Sequence, residues 1–165
     1  DQLKWGQSML RPINIPSEVL HEVYDHAREV YPAEACGWLE GPKNGFEVSK
    51  AHRCINVQSQ GNHPTEAERG AERAYVFSPN DLIAFAHGMD DDSPPRIIYH
   101  SHTNGKSYLS NVDTENATDP WDAGKMYDVQ QLVIGINDNH VVEAKLFDWS
   151  EDNKCFQEIQ HYQGN

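Results

Sequence analysis

Arg96-Ile97-Ile98-Tyr99-His100-Ser101-His102 is the stretch that decides how this chain reads. Three large apolar residues in succession mark a strand of the buried kind. Side chains alternate along a strand, so His100 and His102 share one face and Ser101 takes the other. Two imidazoles placed in this way stand about 6 to 7 Å apart at the backbone and can reach one metal ion. Alone, such a pair is weak evidence of a site.

The residues that follow strengthen it. Across the loop 103–109 comes Ser110-Asn111-Val112-Asp113. If Ser110 caps a helix, Asp113 takes its third position, where a carboxylate is electrostatically favoured. That local reason would suffice if the histidines were absent. With them, Asp113 completes a His, His, carboxylate set with a fourth position open, which is the pattern of catalytic zinc rather than structural zinc. A catalytic Zn2+ also needs a group to take a proton from water. The candidate is Glu34, in Tyr31-Pro32-Ala33-Glu34-Ala35-Cys36-Gly37. By pattern alone Glu34 reads equally well as an exposed loop carboxylate.

Upstream, a helix is predicted from near Pro16-Ser17, with Leu20, Val23, Tyr24, Ala27 and Val30 on one face and Pro32 ending it. Strands are predicted at Ala35–Glu40, Phe46–Val48, Ala51–Val57 and Ala74–Phe77, with a polar loop from Gln58 to Glu72. Ser78-Pro79 supplies an N-cap and a first-turn proline for a helix through about His87. After the Asp90–Pro95 loop and the histidine strand, the chain closes with Gln131–Asn137, a turn at Asp138-Asn139, Val141–Trp149 and a last strand around Cys155 to Ile159. Mixed helices and strands with at least two hairpins make the class α+β or mixed α/β, in a single domain over residues 1–165.

Composition narrows the function classes. Twenty-six acidic residues against thirteen basic ones give a formal charge of −13, which repels phosphate backbones and argues against a nucleic-acid partner. The excess reads as a solvating surface, or else as a field that steers a basic partner. Mean hydropathy is −0.75, and no run approaches the roughly 18 apolar residues needed to span a membrane. The first residues lack a signal-peptide pattern. Cys36, Cys54 and Cys155 are odd in number and widely spaced, which favours a reducing compartment, and a cytoplasmic location is expected. Asn116-Ala117-Thr118 is taken as a chance glycosylation match.

Other motifs fall away. His21 and His26 are five residues apart, so they lie about 140° from each other around a helix and do not make the zinc-binding H-E-x-x-H pair. They read as helix surface. Cys36-Gly37-Trp38 lacks the rest of a thiol-protease signature and suits strand packing. His52, His63, His87, His140 and His161 are isolated and read as surface or loop residues. Trp5, Trp38, Trp121 and Trp149 read as core anchors, with Trp121 also placed to flank a cleft.

Taken together, P-x-E-x-C-G, then H-S-H, seven residues and S-x-x-D resemble the JAMM signature of active MPN-domain metallopeptidases, over about Ile13 to Trp149. The resemblance implies Zn2+ on His100, His102 and Asp113, Glu34 as general acid/base, and Ser110 hydrogen-bonding the oxyanion of the tetrahedral intermediate. It also implies the family fold, a curved mixed β-sheet or partial barrel flanked by helices. Small freestanding members of the family process sulfur-carrier proteins, so the implied substrate is the C-terminal tail of a ubiquitin-like or sulfur-carrier protein. Two other readings stay open: an inactive MPN-type scaffold, and a hydrolase of the same chemistry acting on cell-wall or phage-related peptides. Many bacterial members carry proline after the second histidine; Thr103 stands there in this chain, which bears on the path of the 103–109 loop and on substrate preference.

Overall fold

A computed structural model describes residues 10–58, 75–122, 124–138 and 140–165. In chain order the elements are α1 (Ser17–Val30), β1 (Cys36–Glu40), β2 (Lys50–Cys54), α2 (Pro79–Gly88), β3 (Pro95–His102), α3 (Asn111–Ala117), β4 (Gln130–Asn137), β5 (His140–Ser150) and β6 (Cys155–Gln163). The strands form one open mixed sheet in the order β2-β1-β3-β4-β5-β6. β3 and β4 run parallel, and the other four pairings are antiparallel.

Both sheet faces are covered, which explains why β3 and β4 read as unbroken apolar runs. On one face α1 packs Val19, Val23, Tyr24 and Ala27 against Leu39, Ile97, Tyr99, Leu132, Ile134 and Leu146. On the other, Trp38, Phe77, Phe85 and Ile98 make a second, aromatic core with Cys36 and Cys54. The parallel β3–β4 pair positions the site. Parallel neighbours need a crossover, and this one carries α3 past the C-terminal end of β3.

Several expectations hold. α2 begins at Pro79, with Ser78 Oγ accepting from Asp81 N. α1 runs from Ser17 to Val30. Asp138 takes a positive φ of 42° at the β4–β5 turn, while its neighbour Asn139 lies outside the described residues. Other expectations are corrected. Phe46–Val48 forms no strand; among the described residues its strand-type pairing is one bridge, Asn14 to Glu47, while Val48 packs into the core. β2 ends at Cys54 rather than Val57, because Ile55 N–H turns to Asp81 Oδ2 at 2.9 Å instead of a strand neighbour. The Ala74–Phe77 strand reduces, among the described residues, to a bridge between Asn56 and Phe77. One backbone bond, Val57 N to Val76 O at 2.9 Å, is joined there by Asn56 Oδ1 accepting from Val76 N. The last strand extends beyond Ile159 to Gln163. Trp121 is 94% exposed and anchors no core. Trp5, His63 and most of the predicted 58–72 loop lie outside the described residues.

His26 is a further correction. His21 is exposed, but His26 is only 5% exposed and its Nδ1 lies 2.6 Å from Tyr99 Oη. The same 140° rotation that separates the two histidines turns His26 inward. Burial, together with the Arg53 cation, lowers its pKa to about 4, against a partial upward pull from Glu29 and Glu22. In the unfolded chain it titrates near 6.5. Between those values the unfolded chain binds a proton that the folded one refuses. Stability from this group is therefore complete above about 6.5 and lost as pH falls toward 4, by about 3 kcal/mol. Urea midpoints at pH 7 and pH 4.5 test this. His26→Phe is expected to lose less stability than wild type over that interval, and an equal loss in both proteins would remove His26 as the cause.

Candidate metal centre

The end of β3 brings the sequence-predicted ligands together. His100 Nε2 and His102 Nε2 lie 3.1 Å apart. Asp113 Oδ2 stands 3.1 Å from the first and 2.9 Å from the second. A tetrahedral zinc with bonds of about 2.0–2.1 Å needs donor atoms roughly 3.3 Å apart. The three atoms thus outline one face of such a coordination sphere, and the donor set of two imidazoles and one carboxylate fits zinc.

Asp113 is aimed by its helix. It is residue N3 of α3 in a full capping box: its N–H donates to Ser110 Oγ at 3.1 Å, and Ser110 N–H donates to Asp113 Oδ2 at 3.0 Å. The oxygen that faces the histidines is therefore also the one held by the cap. Ser110 Oγ uses an acceptor position for the cap, which leaves its hydroxyl proton free in geometry to be donated elsewhere.

Glu34 is buried, at 5% exposure, and not the exposed loop carboxylate that its local pattern also allowed. Its carboxylate and the two imidazoles offer ligand atoms that all lie within 4.8 Å of one another. Asp113 Oδ2, at 2.9 to 3.1 Å, stands at direct coligand spacing to both histidines, and Glu34 belongs to the same cluster. The backbone around Glu34 is pinned from both sides. Ala35 N donates to Ser101 Oγ at 2.7 Å, and Ser101 N donates to Ala35 O at 3.0 Å. Asn56 Nδ2 donates to the Glu34 carbonyl at 3.0 Å. Ser101, the residue turned away from the face that carries the two histidines, thus ties the histidine strand to the glutamate segment. The only sequence signal for this role was its place between the two histidines.

Two aromatic rings missed by sequence reasoning hold the imidazoles. Tyr75 stacks on His100 with centroids 4.7 Å apart, and Tyr108 meets His102 edge-on at 4.6 Å. His100 Nδ1 is buried without a hydrogen-bond partner among the described residues, so stacking does the orienting that a hydrogen bond usually does for a ligating histidine. The electrostatics favour positive charge here. Burial alone would depress the His100 pKa, but Asp113 and Glu34 more than offset it and raise it. Burial would raise Asp113, yet His100, with hydrogen bonds from His100, His102 and Ser110 N–H, holds it well below the usual carboxylate range. Beside Asp113 opens a cleft of about 240 Å³ lined by Tyr75, Phe77, Leu82, Ile98, Ala117 and Tyr127. Cys36 is fully buried and its thiol is pushed well above the ordinary range, first by burial, which disfavours the nucleophilic thiolate.

Residues 16–148 match the family described as prokaryotic homologs of the JAB domain, and the chain belongs to that family. It is 29% identical over 133 residues to proteins named CysO-cysteine peptidase from Mycobacterium bovis and Mycobacterium tuberculosis, a match covering 81% of this chain and 80% of each relative. The fold is also that of two solution structures. One, from Desulfitobacterium hafniense, has a TM-score of 0.60 at 22% identity and 88% coverage of both chains. The other, from Salinibacter ruber, has a TM-score of 0.59 at 21% identity, covering 89% of this chain and 88% of that one. A peptidase-named relative within a JAB-domain family supports a hydrolase. Among the described residues no helix is long and apolar enough to cross a membrane.

Proposed function

We propose that this chain is a zinc-dependent peptidase that cleaves an amide bond at the C-terminal tail of a ubiquitin-like or sulfur-carrier protein. The observation that carries the reading is the convergence of His100 Nε2, His102 Nε2 and Asp113 Oδ2 within 3.1 Å of one another beside the buried Glu34. His100, His102 and Asp113 would hold the ion. When bound, zinc supplies Lewis acidity that polarises the scissile carbonyl and acidifies water toward a pKa of about 7.

The remaining chemistry belongs to side chains. Glu34 takes the proton of the attacking water on its carboxylate and delivers it to the leaving amine. Ser110 donates its hydroxyl proton to the oxygen on which negative charge develops, while the cap bond from Asp113 N–H fixes that hydroxyl. Ser110→Ala is expected to lower kcat about 10²- to 10³-fold and, through the lost cap, to cost about 1 kcal/mol of stability. Ser110→Asp separates the two effects, since it restores a cap acceptor without a proton to donate. Recovery of kcat by Ser110→Asp would exclude the oxyanion role.

The substrate class is supported by the relatives named CysO-cysteine peptidase. It also suits the site, because an extended, glycine-ended tail lets its backbone pass close to buried ligands. The test is incubation of zinc-loaded protein with carrier proteins bearing one residue amide-linked to a Gly-Gly terminus, read by intact mass. Loss of that residue's mass is expected. Conjugates left intact by protein carrying stoichiometric zinc would favour a non-catalytic scaffold, and cleavage of unrelated peptides at equal rates would favour a general peptidase.

A further inference from the structure

A second set of metal-ligating side chains converges on the edge strand β2, on the same sheet face as the histidine pair. His52 Nε2 lies 3.4 Å from Asp81 Oδ1, and His52, Cys54 and Asp81 each offer a ligand atom within 4.8 Å of the other two. The sequence does not announce it. His52 and Cys54 are two apart on a strand and share a face, but Asp81 arrives from the first turn of α2.

Each member is held in place by something other than the triad. Asp81 Oδ2 accepts from Ile55 N–H and from the Ser78 hydroxyl, both at 2.9 Å, which turns Oδ1 toward His52. Hydrogen bonds that hold the outer oxygen of a carboxylate are the usual support of a metal ligand. The His52 ring lies flat on Trp38, with centroids 4.0 Å apart and planes 2° from parallel. Cys54 is buried opposite Cys36, which in turn pairs with His100 across β1 and β3.

We propose that His52, Cys54 and Asp81 form a second metal site, distinct from the first, that takes a zinc-class divalent ion and fastens the start of α2 to strand β2. The donor set decides the class: a soft thiolate and an imidazole select zinc-like ions over magnesium or calcium, and three protein ligands leave a fourth position for water. Binding replaces the S–H bond of Cys54 with a sulfur–metal bond and releases one proton to solvent. Affinity therefore rises with pH. Without metal, the thiol is kept protonated by burial and by neighbouring Cys36 and Asp81.

Cobalt(II) titration of metal-free protein tests the proposal without any activity assay. The His100, His102 and Asp113 set contains no sulfur, so near-ultraviolet sulfur-to-cobalt charge transfer reports only on a thiolate site. Wild type is expected to bind two equivalents and to develop that band. Cys54→Ser should bind one equivalent and lose the band, while His100→Ala should keep it. His52→Gln, a change at a half-buried strand position, should weaken cobalt binding at this site by at least about 10- to 100-fold. Absence of the band in wild type at saturating cobalt would overturn the proposal. So would a band that survives Cys54→Ser, which would move the ligand to Cys36 or Cys155. If Cys54→Ser does not fold by circular dichroism, His52→Gln decides, and unchanged cobalt affinity in it counts against the site.

Discussion

Glu34→Gln is expected to retain one zinc per chain at the histidine pair while losing cleavage by about 10²- to 10⁴-fold, the range of a positioned acid–base group. The amide has the shape of the carboxylate but cannot carry a proton between water and leaving amine. Its backbone anchors would survive, because they involve the Glu34 carbonyl, Ala35 and Ser101 rather than the carboxylate. The position should therefore stay filled. Zinc content by mass spectrometry, measured beside kcat/KM on a carrier conjugate, separates the alternatives. If the variant loses zinc together with activity, Glu34 acts as a ligand and the roles of Glu34 and Asp113 must be exchanged. If it keeps both, the proton carrier is another group.

His102→Ala should behave differently, with metal and activity lost together. Only His100 and Asp113 would remain, and a two-ligand site does not hold zinc against buffer. The loss in affinity should exceed the roughly 10- to 100-fold that follows from disturbing the groups around a ligand. His102 is nearly buried against the edge of Tyr108, so the truncation also opens a small hole at the C-terminal end of β3. That should cost stability modestly, since no α1-facing core residue is touched. Retention of stoichiometric zinc at this site would overturn the ligand assignment. Cobalt absorption adds a check: the sulfur-free spectrum of the first site should vanish in His102→Ala while any thiolate-derived band is kept.

Much of the site could be read from local pattern. Strand alternation placed His100 and His102 on one face, and the Ser-x-x-Asp start of α3 placed Asp113 at N3 with its carboxylate drawn to the cap. These are short-range consequences of backbone geometry, and they hold in the folded chain. Glu34 was different. Its surroundings allowed an exposed loop, and its burial depends on Ser101 and Asn56, which are distant in sequence and bind the flanking backbone. Tyr75 and Tyr108 carry no local signal for the same reason, since ring stacking leaves no periodic trace. Residues 46–48 and 74–77 have β-type composition, but composition alone does not supply a partner strand. Asn14 and Asn56 cap or bridge those segments instead.

His26 and the β2 triad show the same division. The five-residue spacing excluded a paired zinc motif with His21, which is helix geometry alone. Whether His26 faced water or core was set by Tyr99 arriving from β3. His52, Cys54 and Asp81 likewise meet only because α2 docks on the sheet edge.

By itself, then, the sequence determined the class of fold, the shared face of the two histidines, the cap that aims Asp113 and the family signature that joins them, because each depends on neighbours a few residues apart. Tertiary structure alone decided that the parallel β3–β4 pairing returns α3 to the end of the histidine strand, that Ser101 draws the Glu34 segment against it, and that burial sets the titration of His26 and Cys36. Those outcomes depend on which surfaces exclude water together, and no stretch of chain carries that information alone.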